Sequence, residues 1–428
     1  MSISHTKDKP PAKVFFALYL AMMAVGMGQT VVFAIIPMLG RELALDKLVF
    51  QLPILDITLA PKELTITSLS ALAAVVFFFA APFWGRLSDR VGRKPIIITG
   101  LLGYALGSMV FNFASYLGLA GILSGVALYF LLVISRGFHA MVMSGTHPGA
   151  AAYMVDITTV SGRTQGMGKL QAANQLGVMF GPVLAWFVSV SFLAPLFIQA
   201  VLATAAAILV WLWLPSIPPQ PAADTRPRRM SYFDARYRLF IFVGFVLFSL
   251  IAMIQQTLGF YFQDTLSVDG VRSAQLFSVA MVVSSAMMIF AQLGVVQRFG
   301  GAPVTLLFAG MPFSLLSYLV LANADNLVML LGGMALFGFG MGLTGPSFTA
   351  CATLVVRAEE QGELAGMLGS IIGLGFVFGP LLGGALYSIS PSYPYWAAAL
   401  LIVVMMATLF MHWRAGHPSL VPSAVIKK

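Results

Sequence analysis

Apolar residues in this chain come in runs of about twenty, each closed by glycine, proline or a few charges. A helix rising about 1.5 Å per residue needs such a run to cross the hydrocarbon of a bilayer, whereas the helices and strands of a water-soluble domain alternate polar and apolar positions every few residues. Twelve spans are legible: 14–40, 65–84, 95–117, 128–155, 168–190 and 193–214, then 239–263, 273–296, 303–322, 326–348, 363–388 and 394–413. The stretch 95–155 is long for two spans, and Gly118, Gly121, Ser124 and Gly125 mark an extended turn inside it. Between the sixth and seventh spans, residues 215–238 are rich in proline and arginine and cannot cross a membrane. The pattern predicts an all-α membrane protein of twelve transmembrane helices, with six-helix units at 1–214 and 239–428 joined by a linker at 215–238.

Composition sharpens the picture. Of 428 residues 59% are hydrophobic and 9% charged, where a soluble domain carries about 25% charged residues. Charge this sparse cannot solvate a globule, which excludes a soluble enzyme, a disulfide scaffold and a nucleic-acid-binding domain; the lipid bilayer is the partner, and no nucleic acid is expected. The single cysteine, Cys351, lies in an apolar run and reads as a small core residue. The net charge of +9 follows from placement. With the N-terminus in the cytoplasm, only Arg41, Lys47, Lys62 and Arg272 fall in outer segments and Arg136 inside a span, while every other Lys and Arg is cytoplasmic. This positive-inside bias puts both termini in the cytoplasm. The basic stretch Met1–Lys13 ahead of a long apolar run predicts an uncleaved anchor. In the long outer loop 41–64, Val49–Leu55 is apolar but too short to cross and is expected to pack on the outer mouth.

The halves echo each other. Leu176–Leu184 (LGVMFGPVL) matches Leu374–Leu382 (LGFVFGPLL), each in the fifth span of its half, and Arg90-Val91-Gly92 with Pro95 recurs more weakly as Arg298-Phe299-Gly300 with Pro303. Paired six-helix bundles of this kind, pseudo-symmetric and rocking about a midplane site, are a transporter architecture.

Between spans two and three stands Gly85-Arg86-Leu87-Ser88-Asp89-Arg90-Val91-Gly92-Arg93-Lys94-Pro95. It resembles the signature loop of the major facilitator superfamily, in the position where that family carries it, and the resemblance extends over the whole chain. Gly85 and Gly92 permit a tight turn and close helix approach. Asp89 is an anion suited to the positive N-terminus of a helix in the other half, and Arg93 is placed to pair with Asp156 at the end of span four. The resemblance implies that Gly85, Asp89, Arg90, Gly92, Arg93 and Asp156 form a gating latch on the inner side. The second copy has Gln297 in place of Asp89 and Gly301-Ala302 in place of Arg93-Lys94, so the latch should depend on the first. In span five, Gly177, Gly181 and Pro182 resemble the Gly-x-x-x-Gly-Pro motif of drug/proton antiporters such as the tetracycline efflux proteins, which implies export. Ala185-Trp186 replaces the glycine pair that often follows.

Ionisable residues inside spans cost about 2.5–3.5 kcal/mol even on lenient scales and mark function. Arg136 is the one clear Lys, Arg, Asp or Glu within a span, with His139 on the same helix face and His147 beyond it. The family often has Arg followed by x-x-Gln-Gly here; His139-Ala140 stands instead. Arg136 is the expected anchor for an anionic group, and His139 or His147, titrating near pH ~6.5 when unperturbed, are the candidates for proton coupling, ahead of the boundary acids Asp156 and Asp264. Gln29, Gln171, Asn174, Gln175, Gln255 and Gln256 are expected to complete the substrate site with His139. Related antiporters often carry a span-one carboxylate, absent here, which argues for neutral or anionic cargo. The resemblance implies a monomeric secondary transporter of a bacterial inner membrane, exporting a small amphipathic or anionic organic compound by alternating access with protons as the coupling ion. The alternatives are export or uptake of a carboxylate-type siderophore or other anionic metabolite, and a non-transporting membrane sensor. With no Walker loop, His-Glu-x-x-His motif or run of acidic ligands, neither a cofactor, a metal nor an enzymatic activity is expected.

Overall fold

A computed structural model describes residues 11–52, 57–159, 162–217, 231–357 and 360–415. Its helices are α1 (Ala12–Glu42), α2 (Glu63–Val91), α3 (Arg93–Leu119), α4 (Gly125–Met143), α5 (Thr146–Ile157), α6 (Arg163–Phe180), α7 (Ala194–Trp213), α8 (Arg238–Leu266), α9 (Gly270–Gly294), α10 (Pro303–Ala322), α11 (Leu327–Leu354), α12 (Gln361–Tyr387) and α13 (Tyr393–Arg414). With α4 and α5 forming one span, they supply twelve helices long and apolar enough to cross a membrane. The N-terminal basic segment, most of the linker and the C-terminal tail, on which the expectation of cytoplasmic termini partly rests, lie outside the described residues. Chain connectivity puts the 85–95 segment and the linker on one face of the bundle, here the near side; the opposite face is the far side.

The structure departs from the sequence expectation in three places, and each departure has a local cause. The signature segment is helical up to Val91, and Gly92 alone joins α2 to α3. Gly92 has φ +97° and ψ 157°, a conformation that a Cβ obstructs, so the tight turn is made by Gly92, and Gly85 lies within α2. Hydropathy missed the last turns of α2 because Arg86, Asp89 and Arg90 suit a helix emerging from lipid. Second, span four breaks between α4 and α5. Pro148 has no N–H for the carbonyl of Ser144 and its ring crowds that group. The carbonyl of Met141, released at the break, is taken by the Trp84 indole at 2.7 Å and the Ser144 hydroxyl at 2.8 Å. Third, the outer loop holds a short hairpin that leaves the all-α class of the fold unchanged. In the outer loop, β1 (Phe50–Leu52) and β2 (Ile57–Leu59) pair antiparallel, with Phe50 opposite Leu59. The Phe50 ring meets the Tyr129 ring edge-on at 5.6 Å, which seats this hairpin on the far end of α4.

The repeated nonapeptide has a packing explanation. In the first half, Gly177 and Gly181 press α6 onto the α1 backbone around Met23 and Met27, and Gly26 presses back, so that a Cβ on Gly26 would lie 2.8 Å from the Val178 nitrogen. In the second half, Gly375 and Gly379 press α12 onto Phe248, Ser249 and Met253 of α8 in the same way. Lipid tails are as apolar as Leu, so helices in a membrane associate through such close dispersion contacts. After Phe180 the first copy changes pitch. Gly181–Ser189 is a 3-10 helix, because Pro182 removes a donor from the ladder, and the freed Val178 carbonyl accepts from Thr30 Oγ1 at 2.9 Å. The second copy stays α-helical through Pro380.

The halves meet along α2 and α12, and this seam is wedge-shaped. Gly384, Gly373 and Gly366 share one face of α12, about five turns apart end to end. At the far end a Cβ on Gly384 would sit 3.0 Å from Leu64 Cα; at Gly373 the nearest neighbour is Phe78 at 3.4 Å; at Gly366 nothing lies within 4 Å. The helices are zipped on the far side and apart on the near side, which is the inward-facing geometry if the near side is the cytoplasm.

Candidate functional site

Polar residues gather at three depths. On the near side, Arg93 ties the signature segment to span four: its Nε donates to Asp156 Oδ2 at 3.2 Å, and it also pairs with Asp89 and donates to Ser88 Oγ at 2.8 Å. Arg93 and Asp156 are each 15% exposed. Among the described residues Asp89 thus bonds within its own half and not to the other half. It lies on the same face of α2 as Thr67 and Phe78, the residues that meet α12, and so points along the open end of the wedge. Arg90 is exposed. Gly85 is 3.9 Å from the Pro148 ring when fitted with a Cβ, ordinary contact that lets α2 lie along α5.

At mid-depth, Arg136 of α4 is 8% exposed and His139 is 1% exposed. The guanidinium does not sit on the lipid-facing perimeter. It lies inside the first bundle, over the Phe111 ring of α3 at 5.9 Å, with NH1 3.0 Å from His139 Nδ1. A guanidinium only donates, so Nδ1 accepts and the ring is neutral with its proton on Nε2. The His139 ring stands edge-on to Tyr104 at 4.6 Å, and the Tyr104 hydroxyl donates to the Gly28 carbonyl of α1 at 2.9 Å. Arg136 Nε, His139 Nε2 and the hydroxyl of Ser115 are buried without a partner among the described residues. No carboxylate contacts Arg136 among them. Asp and Glu occur only near helix ends or in turns there, as Glu42, Glu63, Asp89, Asp156, Asp264 and Glu363 do. The arrangement is a buried cation with donors to spare and no built-in anion, a state that low dielectric makes costly.

The amides expected around it scatter. Asn174 turns into the α1–α6 seam, donating to the Met22 carbonyl at 3.2 Å, whereas Gln171 and Gln175 are exposed on α6. Gln29 is half-buried. Gln255 and Gln256 of α8 are 7% and 0% exposed; Gln255 Oε1 and both amide atoms of Gln256 are buried without partners among the described residues. Counting residues from the far ends of their helices, Gln29, Arg136 and Gln255 share one depth, about 15–20 Å down at helical rise. His147 lies on α5, beyond the break and half-buried. Tyr104 and Phe111 were missed in the sequence because aromatic residues in apolar runs carry no signal of a polar contact.

The far side holds a cluster that sequence reading did not assemble. Arg41 of α1 grips Asp264 of α8 with two bonds, at 2.5 and 2.9 Å, and reaches Gln263 Oε1 at 2.9 Å and Glu63 of α2 at 3.1 Å. The Tyr387 hydroxyl of α12 donates to Asp264 at 2.6 Å. Lys62 donates to the Ser388 carbonyl at 3.3 Å, and Ser388 Oγ to that of Pro61 at 3.2 Å. Ser278 of α9 donates to the Pro182 carbonyl. All of these except the Glu63 and Tyr387 bonds cross between halves.

Among known proteins, Multidrug resistance protein 1 of Bacillus subtilis (strain 168) is 25% identical over 348 residues, covering 80% of this chain and 85% of the relative. Tetracycline resistance protein, class C, of Escherichia coli is 27% identical over 339 residues, covering 76% and 80%. Among solved structures, a bacterial homolog of the human lysosomal transporter Spinster, inward-facing and occupied, superposes with a TM-score of 0.68 at 13% identity, covering 95% of this chain and 97% of that one. The human organic anion transporter MFSD10 (TETRAN) gives 0.64 at 18% identity, covering 93% and 99%. The Major Facilitator Superfamily model matches residues 18–371 and again 293–427. With twelve candidate spans in two like halves and multidrug and tetracycline resistance proteins among its relatives, this chain is a transporter that belongs to the Major Facilitator Superfamily.

Proposed function

We propose that the protein exports a small amphipathic or anionic organic compound across a bacterial inner membrane, in exchange for protons, by alternating access. The observation that carries the cargo class is Arg136: a buried guanidinium with no carboxylate against it among the described residues. An anionic group arriving there gains a charge-assisted, bidentate partner and relieves an uncompensated charge, while a cation would be repelled. The direction of export draws on the multidrug and tetracycline resistance proteins among its relatives and on Gly177, Gly181 and Pro182. In this reading the near side is the cytoplasm, both termini lie there, residues 1–214 and 239–428 move as two bodies about the 215–238 linker, and one chain suffices.

The inward-facing wedge admits cargo from the near side, and Gln29, Gln255 and Gln256 meet its neutral polar groups at the depth of Arg136. Closing the near end brings Asp89 along its α2 face to the N-terminus of α12, whose free N–H groups favour an anion. Arg93, held by Asp156, keeps that turn rigid. His139, whose Nδ1 accepts from Arg136 at mid-depth, is the coupling group in this reading. The same anion site also suits a carboxylate-rich metabolite or siderophore.

The test is proton-driven flux in inside-out vesicles with matched anionic, neutral and cationic fluorescent amphiphiles. Wild type should accumulate the anionic or neutral probe, Arg136→Ala at equal expression should lose the anionic one, and Arg136→Lys should keep part of it. Anionic flux unchanged in Arg136→Ala removes the assignment.

A further inference from the structure

We infer that Asp264 is a proton-binding site at the far-side mouth, and that protonating it unlocks that mouth. This rests on the alternating access proposed above and adds to it a proton-sensing group, on the opposite face from the signature turn.

The argument is one of sorting. The cluster draws one group from each of four helices: Arg41 from α1, Glu63 from α2, Asp264 from α8 and Tyr387 from α12, with Tyr395 of α13 behind Tyr387. One guanidinium serves two carboxylates. In the closed far mouth it holds both, but not equally: Asp264 receives two bonds, at 2.5 and 2.9 Å, and Glu63 one, at 3.1 Å. Opening the mouth parts α1 and α2 from α8 and α12, and the bonds divide by bundle. Arg41 keeps Glu63, which travels with it. Asp264 keeps Tyr387 and loses Arg41, the only cation on it among the described residues. One carboxylate is therefore stripped of its countercharge by the same movement that opens it to the far-side medium.

Competition follows. A proton and the Arg41 guanidinium bind the same Asp264 oxygens, so each displaces the other. The step is a simple protonation: a proton from the medium adds to a carboxylate oxygen, the Arg41–Asp264 pair is broken, and the cluster's charge rises by one. By linkage, whatever binds better to the open state favours opening. Acid on the far side should open the mouth, and loss of the proton should close it on Arg41. Phe260, whose ring lies 4.8 Å from the Arg41 guanidinium, and Gln263 at 2.9 Å hold the cation in place meanwhile. Glu63 has the opposite influence: without it, Arg41 has no partner in the open state, and opening becomes harder.

The experiment measures the far mouth directly. In a Cys351→Ser background, spin labels at Lys47→Cys and Asp325→Cys, both exposed on the far side in different halves, report the distance across the mouth by double electron–electron resonance in lipid nanodiscs from pH 8 to 4. Wild type should lengthen on acidification in a single transition about two pH units wide. Asp264→Asn should favour the long distance at least tenfold over wild type at pH 8 and respond little to acid. Glu63→Gln should need more acid than wild type. A wild-type distance that ignores pH overturns the inference without any latch variant, and so does an Asp264→Asn protein whose acid response matches wild type. A flat distance titration with intact proton-driven flux defeats this inference and leaves the transport reading standing; an intact titration in a protein that moves no probe does the reverse.

Discussion

Replacing Gly177 with alanine adds one methyl group where α6 touches α1, and the structure says what it would strike. The new carbon would overlap the Met23 carbonyl oxygen and lie 2.8 Å from the Met27 nitrogen. Both are backbone atoms of a continuous helix, so no side chain can swing aside and α1 and α6 must part. Overpacking of this kind costs about 1–3 kcal/mol. The same substitution removes glycine from a helix interior, which by itself gains about 0.5–1 kcal/mol. Gly168 supplies the control, since it lies on the same helix with nothing within 4 Å of a Cβ. Gly168→Ala should therefore stabilise slightly and Gly177→Ala destabilise, with the gap between them equal to the overpacking cost, about 1–3 kcal/mol, because the helix term is common to both. The protein carries its own reporter: Cys351 is its only cysteine and is 5% exposed, so a thiol-reactive fluorogenic dye labels it on unfolding. Heating each purified variant with the dye should rank them Gly168→Ala, wild type, Gly177→Ala in descending order. If Gly177→Ala melts at or above Gly168→Ala, the close approach of α1 and α6 is not what holds this seam.

Two further outcomes concern the near side. Arg236 is paired with Asp234 and Glu360 at 2.9 Å each and holds both carboxyls below their ordinary values. Carboxyls with depressed values contribute while ionised, so this clasp between the linker end and α12 should persist at neutral pH and release as the pH falls below about 4. Limited proteolysis near residue 231 should rise with acid in wild type and be high and pH-independent in Arg236→Ala. Asp156→Asn weakens the Arg93 pair that anchors the signature turn, and is expected to raise near-side labelling of a cysteine at Arg90 several-fold, with Arg93→Ala giving the same result and the double variant no more than either alone.

The sequence carried the large features because lipid imposes them. Spans declare themselves by length, and the nonapeptide repeat was visible because close packing needs glycine at Gly177, Gly181, Gly375 and Gly379 and accepts nothing larger. The Arg93–Asp156 pair, 63 positions apart, was legible because the resemblance of the signature segment pointed to it. Hydropathy, however, reports burial and is blind to winding. It could not separate α4 from α5 without weighing Pro148 against Ser144, nor see that residues 85–91 remain helical outside the apolar run. The far-side cluster was less accessible still. Arg41 and Asp264 each look like an ordinary charge at the end of a span, and only folding brings them together across 223 positions. The setting of Arg136 was half legible: its cost marked it, but Tyr104 and Phe111 are ordinary aromatics until α3 is laid beside α4.

The change of pitch at Gly181 alters the reach of the fifth span. A 3-10 helix climbs about 2.0 Å per residue where an α-helix climbs about 1.5 Å, so the nine residues Gly181–Ser189 cover roughly 4–5 Å more than their count implies. Its threefold winding also stacks positions three apart. Pro182, Ala185 and Val188 form one inward row, while Val183 and Trp186 form a row turned outward. A rod built this way is thinner than its neighbours, and α9 packs along it, with Ser278 pinned to the Pro182 carbonyl where the two halves meet.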